Sequence, residues 1–199
     1  MNKYLTIFYM ILSFLVGCGP PNEQLSHEEK LAFQIRSKIA HKLVVKYDMK
    51  VIGFSAAMPA GVINNLGLLF QVSRILTREE ARVILVDGVQ EFLAEVNANE
   101  EIRPYLKAYP FTAKNITVDI YMRGSKGENV YDPNIEAASA YGGKIWYATK
   151  DKNKKYGYKS EYKESFEEAV KLVDEAHANQ QRGELTLKNC CPGMVSLFK

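Results

Sequence analysis

Leu31, Ile35, Ile39 and Leu43 recur every four residues, the spacing that lines apolar side chains along one face of an α-helix. Just ahead of them, Ser26-His27-Glu28-Glu29 reads as a capping box, serine as N-cap and glutamate at the third helical position, so a helix is predicted from there to about Val45. Val51 to Ala57 reads as a strand stopped by Pro59-Ala60-Gly61, and Gly67 to Ser73 alternates, with Leu68, Phe70 and Val72 on one face. A second capping box, Thr77-Arg78-Glu79-Glu80, opens a helix to about Asn97 that is apolar over much of its girth, including Val86, Val89, Phe92 and Val96; such a helix is deeply buried. Gly88 in its middle costs roughly 1 kcal/mol against alanine, and close approach to a sheet is the expected compensation.

Prolines 104 and 110 make the next stretch irregular. Ile116, Val118, Ile120 and Met122 then alternate with Thr117, Asp119, Tyr121 and Arg123, the clearest half-buried strand in the chain. After a polar turn over Gly124–Asn129, Gly142-Gly143 reads as a two-residue hairpin turn between strands Ile135–Tyr141 and Lys144–Thr149. It sets Ala140 opposite Ile145 and Ala138 opposite Tyr147, and the small residues leave room for a helix to lie across that face. A last helix is predicted from about Ser160 to Ala178, with Tyr162, Phe166, Ala169, Val170 and Val173 on one stripe. The order α-β-β-α-β-β-β-α defines an α+β domain over 26–180, an antiparallel sheet of about five strands with helices packed on one face. Residues 181–199 are read as a C-terminal tail.

The N-terminus changes the chemical setting. Lys3 is followed by an uncharged run from Tyr4 to Val16, 13 residues long, too short for a comfortable span of about 20 residues and within the roughly 7–15 of a secretory signal core. It ends in Leu15-Val16-Gly17-Cys18, which resembles the lipobox of bacterial lipoproteins. The resemblance implies that residues 1–17 are a signal peptide, that Gly17–Cys18 is the scissile bond, and that Cys18 is acylated as the first residue of the mature chain. An uncleaved anchor helix and an ordinary signal beside an unrelated cysteine are the competing readings. Residues 18–25, with Gly19-Pro20-Pro21, form a stiff tether that starts the domain within ~25 Å of the bilayer. The expected location is the bacterial cell envelope, facing the periplasm or exterior, and in a Gram-negative cell the outer membrane in preference to the inner.

The composition adds less. The chain has 199 residues with 26 basic against 23 acidic side chains, too even a balance to argue for nucleic acid, which export also disfavours. Beyond Cys18, the only cysteines are the neighbours Cys190 and Cys191. Their Cα atoms stand about 3.8 Å apart, below the usual disulfide range of roughly 4.4–6.8 Å. They are read as two thiols on the tail, with a metal pair or an intermolecular bridge as alternatives.

The block Asn97-Ala98-Asn99-Glu100-Glu101-Ile102-Arg103-Pro104-Tyr105-Leu106, followed by Tyr109-Pro110-Phe111, is similar to one in uncharacterised lipoproteins of chlamydia-like intracellular bacteria. That resemblance implies an envelope location and no activity. On physical grounds Glu100, Glu101, Arg103, Tyr105 and Tyr109 either fix the exit of the central helix through an ion pair or bind a ligand.

Catalytic candidates are thin. His27, His41 and His177 lie in no zinc-type spacing, and Gly53-Phe54-Ser55-Ala56-Ala57 begins like a nucleophile elbow but lacks its second glycine. No phosphate loop, dinucleotide fingerprint, metal site or cofactor is expected, and no catalytic residue is assigned. The strongest feature outside the core is residues 144–163, where seven lysines stand against Asp151 and Glu161. Trp146, Tyr147, Lys150, Lys152, Lys154, Lys155, Tyr156 and Tyr158 are read there as a binding surface for anionic headgroups, polysaccharide or an envelope protein. Lysines guarding a sheet edge are the competing explanation. The expectation is a lipid-anchored, non-enzymatic binding module; the alternative is a membrane-tethered hydrolase of unrecognised type.

Overall fold

The computed structural model describes residues 25–154 and 157–190, with side chains described as far as residue 182. Helix α1 spans His27–Tyr47, followed by strands β1 (Lys50–Ala57) and β2 (Asn65–Val72), helix α2 (Arg78–Ala98), strands β3 (Ile116–Met122), β4 (Ile135–Tyr141), β5 (Lys144–Lys150) and β6 (Tyr158–Ser165), and helix α3 (Phe166–Cys190). Both predicted capping boxes form. Ser26 and Glu29 bond reciprocally at the start of α1, as do Thr77 and Glu80 at the start of α2.

The class is α+β, with two corrections. The sheet has six strands in chain order, and β2 runs parallel to β3 while every other neighbouring pair is antiparallel. The parallel pair follows from α2, because a crossover helix returns the chain to start the next strand in the same direction. The sixth strand, Tyr158–Ser165, occupies ground where helix was expected from Ser160. Helix α3 begins six residues later, at a third helix-opening capping box: the Glu168 N–H donates to Ser165 Oγ at 3.1 Å and the Ser165 N–H to Glu168 Oε2 at 2.9 Å. It runs on to Cys190, past the predicted end at Ala178 and ten residues into the presumed tail.

The three helices share one face of the sheet. Leu31, Ile35, Ile39 and Leu43 of α1 and Leu85, Val89, Phe92 and Val96 of α2 join Phe166, Ala169 and Val173 of α3 in one core with the inward-facing strand residues. Those include Leu66, Leu68 and Phe70 of β2, Val118 and Ile120 of β3, Ala138 and Ala140 of β4, and Ile145 and Tyr147 of β5. The hairpin register is as predicted, Ala140 opposite Ile145 and Ala138 opposite Tyr147. Across the outside of α1 and α2 run three ion pairs, Lys38–Glu95, Lys42–Glu91 and Lys46–Asp87, at 2.6, 2.8 and 2.8 Å. Two antiparallel helices pair side chains in this descending order.

At the α1–α2–β3 junction, a Cβ on Gly88 would stand 3.4 Å from Leu43 Cδ1 and 3.5 Å from Val118 Cγ1. The approach is close, but one methyl fits. Gly88→Ala is therefore expected to stabilise the domain by up to about 1 kcal/mol through helix propensity, whereas Gly88→Leu overpacks and costs about 1–3 kcal/mol. Urea titration of both variants checks this; a destabilised alanine variant shows the junction to be already full.

Candidate binding face

Among the described residues the other face of the sheet carries no helix, and its register gathers polar and aromatic side chains from four strands. Asp119 on β3 pairs with Ser139 on β4, Ser139 with Trp146 on β5, and Trp146 with Lys163 on β6. These four side chains form one row across the sheet. Neighbouring strands are about 4.8 Å apart, so the row is ~14 Å long from Asp119 to Lys163. Beside it Thr117, Tyr141 and Lys144 complete the lining of an open cleft of about 460 Å³.

The cleft is electrically polarised along the row. At one end Ser139 Oγ donates to Asp119 Oδ1. Burial pushes the Asp119 carboxyl above the usual aspartate range, and the Ser139 hydroxyl opposes this only in part. At the other end stand Lys163, 3.2 Å from Glu161, and exposed Lys144, which has no ion-pair partner among the described residues. Between them, the Trp146 ring is held edge-on by Tyr158, centroids 4.8 Å apart. The indole N–H side of Trp146, with Lys163, holds the Glu161 carboxyl below its usual range.

Next to the cleft, Glu136 accepts from Arg123 at 3.3 Å and Lys150 at 3.4 Å. Burial raises the pKa of both nearby phenols, Tyr121 and Tyr158, and the surrounding carboxylates add to this.

An aspartate whose folded pKa is raised weakens the fold once ionised. The native state then binds more protons than the unfolded chain, so stability falls as pH climbs from the ordinary aspartate value near 4 through the raised value. Asp119→Asn keeps an acceptor for Ser139 and removes that cost. It is expected to raise the melting temperature at pH 7 and to lose the advantage below about pH 4. A variant that melts earlier at pH 7 contradicts this reading of Asp119.

Strand alternation divides the residues expected between 144 and 163. Trp146 and Tyr158 lie on the open face, but Tyr147 is 2% exposed on the helix side, where its hydroxyl donates to Glu164 at 2.6 Å. It is a core residue and no part of a binding surface. Lys150 is half-buried against Glu136, so it serves that ion cluster and is no free surface charge. Lys152 and Lys154 are exposed in the β5–β6 connection. Lys155 and Tyr156 lie outside the described residues, as do Gly17, Cys18, the whole 1–24 segment and Cys191.

The 97–111 block packs as a clasp, and the predicted ion pair does not form. Asn97 Nδ2 donates to the Phe111 carbonyl at 3.0 Å and Asn97 Oδ1 accepts from the Phe111 N–H at 2.8 Å. An uncharged amide thus fixes the exit of α2. Glu100 and Glu101 are exposed without ion-pair partners among the described residues. Arg103 lies over the Tyr109 ring at 4.4 Å, and Tyr105 meets His27 edge-on at 5.9 Å.

Asp119, Ser139, Thr117 and Tyr141 were not singled out from sequence as site residues, although the Gly142-Gly143 turn already implies the pairs 139/146 and 141/144. A second hollow of about 480 Å³ between α1 and β1 includes His41 and Phe54 in its wall. The β1 edge near it is partly plugged, because Arg36 Nη1 donates to the Ser55 carbonyl at 3.0 Å. No histidine among the described residues lines the Asp119–Lys163 cleft.

The fold and the cleft define an α+β protein whose sheet, among the described residues, is covered by helices on one face and presents a polar-aromatic surface on the other. No protein-family model, curated protein or solved structure matches the chain.

Proposed function

We propose that this protein is a lipid-anchored component of the bacterial cell envelope, acylated at Cys18, whose uncovered sheet face binds an envelope partner without turning it over. The observation that carries the reading is the row Asp119–Ser139–Trp146–Lys163. An aromatic ring, hydrogen-bonding groups and charges of both signs converge there, on a face with no core of its own to build. Binding is favoured over hydrolysis because the carboxylates at the cleft among the described residues, Asp119 on β3 and Glu161 on β6, stand about three strand spacings or ~14 Å apart, whereas carboxylate-driven hydrolysis uses a pair flanking one bond. Leu15-Val16-Gly17-Cys18 supports the anchor. The tether then holds the cleft close to the membrane surface and limits its partners to molecules found there.

Two measurements test this. Cys18→Ala is expected to abolish fatty-acid labelling and leave unprocessed precursor; undiminished labelling removes the anchor. A photoreactive side chain at Tyr141 is expected to yield an adduct in native envelopes, and one at exposed Gln90 on α2 none. Equal labelling from both positions removes the open face as the binding face.

A further inference from the structure

Resting on the reading of the open face as the binding face, we infer that the cleft takes an acidic saccharide: a hydroxyl-rich ring or pair of rings carrying one carboxylate. Each part of the cleft meets one part of such a ligand. Trp146 is the chain's single tryptophan and stands in the cleft instead of the core. Tyr158 packs edge-on against its ring, so a flat apolar platform is ready for the C–H face of a sugar at little entropic cost.

Asp119 supplies the hydroxyl recognition. Ser139 occupies Oδ1, and Oδ2 has no hydrogen-bond partner among the described residues. A half-buried carboxylate with a spare oxygen is a strong acceptor for a ligand hydroxyl, and such a bond recovers solvation that burial removed. Lys144 and Lys163 supply the anion recognition at the opposite end. Lys163 is shared with Glu161, 3.2 Å away, which leaves Lys144 as the cleft's ammonium group without an ion-pair partner among the described residues and suits that end to a single negative group. Asp119 would repel a polyanion such as a nucleoside diphosphate. The volume of about 460 Å³ lies in the lower half of the range for small-molecule sites, roughly 300–1,000 Å³.

The test uses the full-length protein in detergent and follows Trp146 fluorescence, which reports from inside the cleft because no other tryptophan exists. The probes are glucuronic acid and its β-linked disaccharide with N-acetylglucosamine, against glucose and cellobiose as uncharged counterparts. A saturable change is expected with the acidic sugars, at least about tenfold tighter than with the neutral ones, a difference of about 1.4 kcal/mol. It should weaken as salt rises.

The double variant Lys144→Ala/Lys163→Ala should lose the preference for acidic over neutral sugars while melting like the wild type, since both side chains are exposed. Asp119→Asn should bind about tenfold more weakly even though its fold is more stable. No saturable response, an equal response to neutral and acidic sugars, or tighter binding of adenosine diphosphate overturns the saccharide assignment. If any of these occurs while the Tyr141 adduct still forms, the binding face stands and only its ligand class is wrong. If the adduct is missing as well, the face itself is wrong.

Discussion

Replacing Glu164 with alanine is expected to cost the domain about 3–5 kcal/mol, the usual penalty for stranding one half of a buried ion pair. The Glu164 side chain on β6 is 4% exposed and accepts three hydrogen bonds. Arg82 of α2 donates through Nε at 2.8 Å and Nη2 at 3.1 Å, and Tyr147 of β5 donates at 2.6 Å. One carboxylate therefore ties the last strand to the central helix and to the core tyrosine. Without it a largely buried guanidinium and a buried phenol both lose their acceptor.

Against a typical total of about 5–15 kcal/mol for a domain, that loss is large. Glu164→Leu combined with Arg82→Met is expected to recover only the part lost with the ion pair, because an apolar pair of similar volume needs no partner while the buried Tyr147 hydroxyl still lacks its acceptor. Urea unfolding of the single and double variants decides: a loss below about 1 kcal/mol for Glu164→Ala leaves the cluster as ornament.

The same cluster sets the alkaline limit. Burial first, then Glu164, pushes the Tyr147 phenol well above the ordinary tyrosine range, and burial with the Asp87 bond pushes Tyr47 up to about 12. Above pH ~10 the unfolded chain gives up these protons while the native state keeps them, so stability falls with rising pH there.

Val118→Asp is expected to unfold the domain. Val118 is fully buried on β3, and its Cγ1 and Cγ2 lie 3.5 and 3.6 Å from where a Cβ on Gly88 would stand. A carboxylate there has no partner and no water, a penalty of several kcal/mol that a marginally stable domain does not absorb. Thr117→Asp, one residue away on the open face, is expected to be milder but still costly. Thr117 is 9% exposed, donates to Asn65 Oδ1 at 3.0 Å and precedes Asp119 on the same face by two positions. A loss of about 1–3 kcal/mol follows from that hydrogen bond and the added like charge. Far-UV circular dichroism and thermal melts separate the two variants; equal melting temperatures would reverse the face assignment of β3.

Features governed by neighbours a few residues apart were legible in the chain before folding. The period of two at 116–122 identifies β3, Gly142-Gly143 sets the register of β4 and β5, and the Ser26 and Thr77 boxes mark where α1 and α2 begin. The third box, Ser165-Phe166-Glu167-Glu168, carries the same signal. It was obscured because Tyr162 and Phe166 stand four apart and imitate one helical stripe, although Tyr162 ends its part in β6 and Phe166 opens α3.

Other features belong to the folded molecule alone. That β3 lies beside β2 in parallel depends on where α2 sends the chain, and no local pattern encodes it. The lysine-rich stretch reads as one surface in linear order, yet β5 turns Tyr147 into the core and Trp146 away from it. Asp119, Ser139, Trp146 and Lys163 come from four strands, and of these only Trp146 and Lys163 fall in the stretch that stands out in the sequence. They become one row only when backbone hydrogen bonds hold β3 to β6 in register, because residues dozens of positions apart have no physical contact until the sheet brings them together.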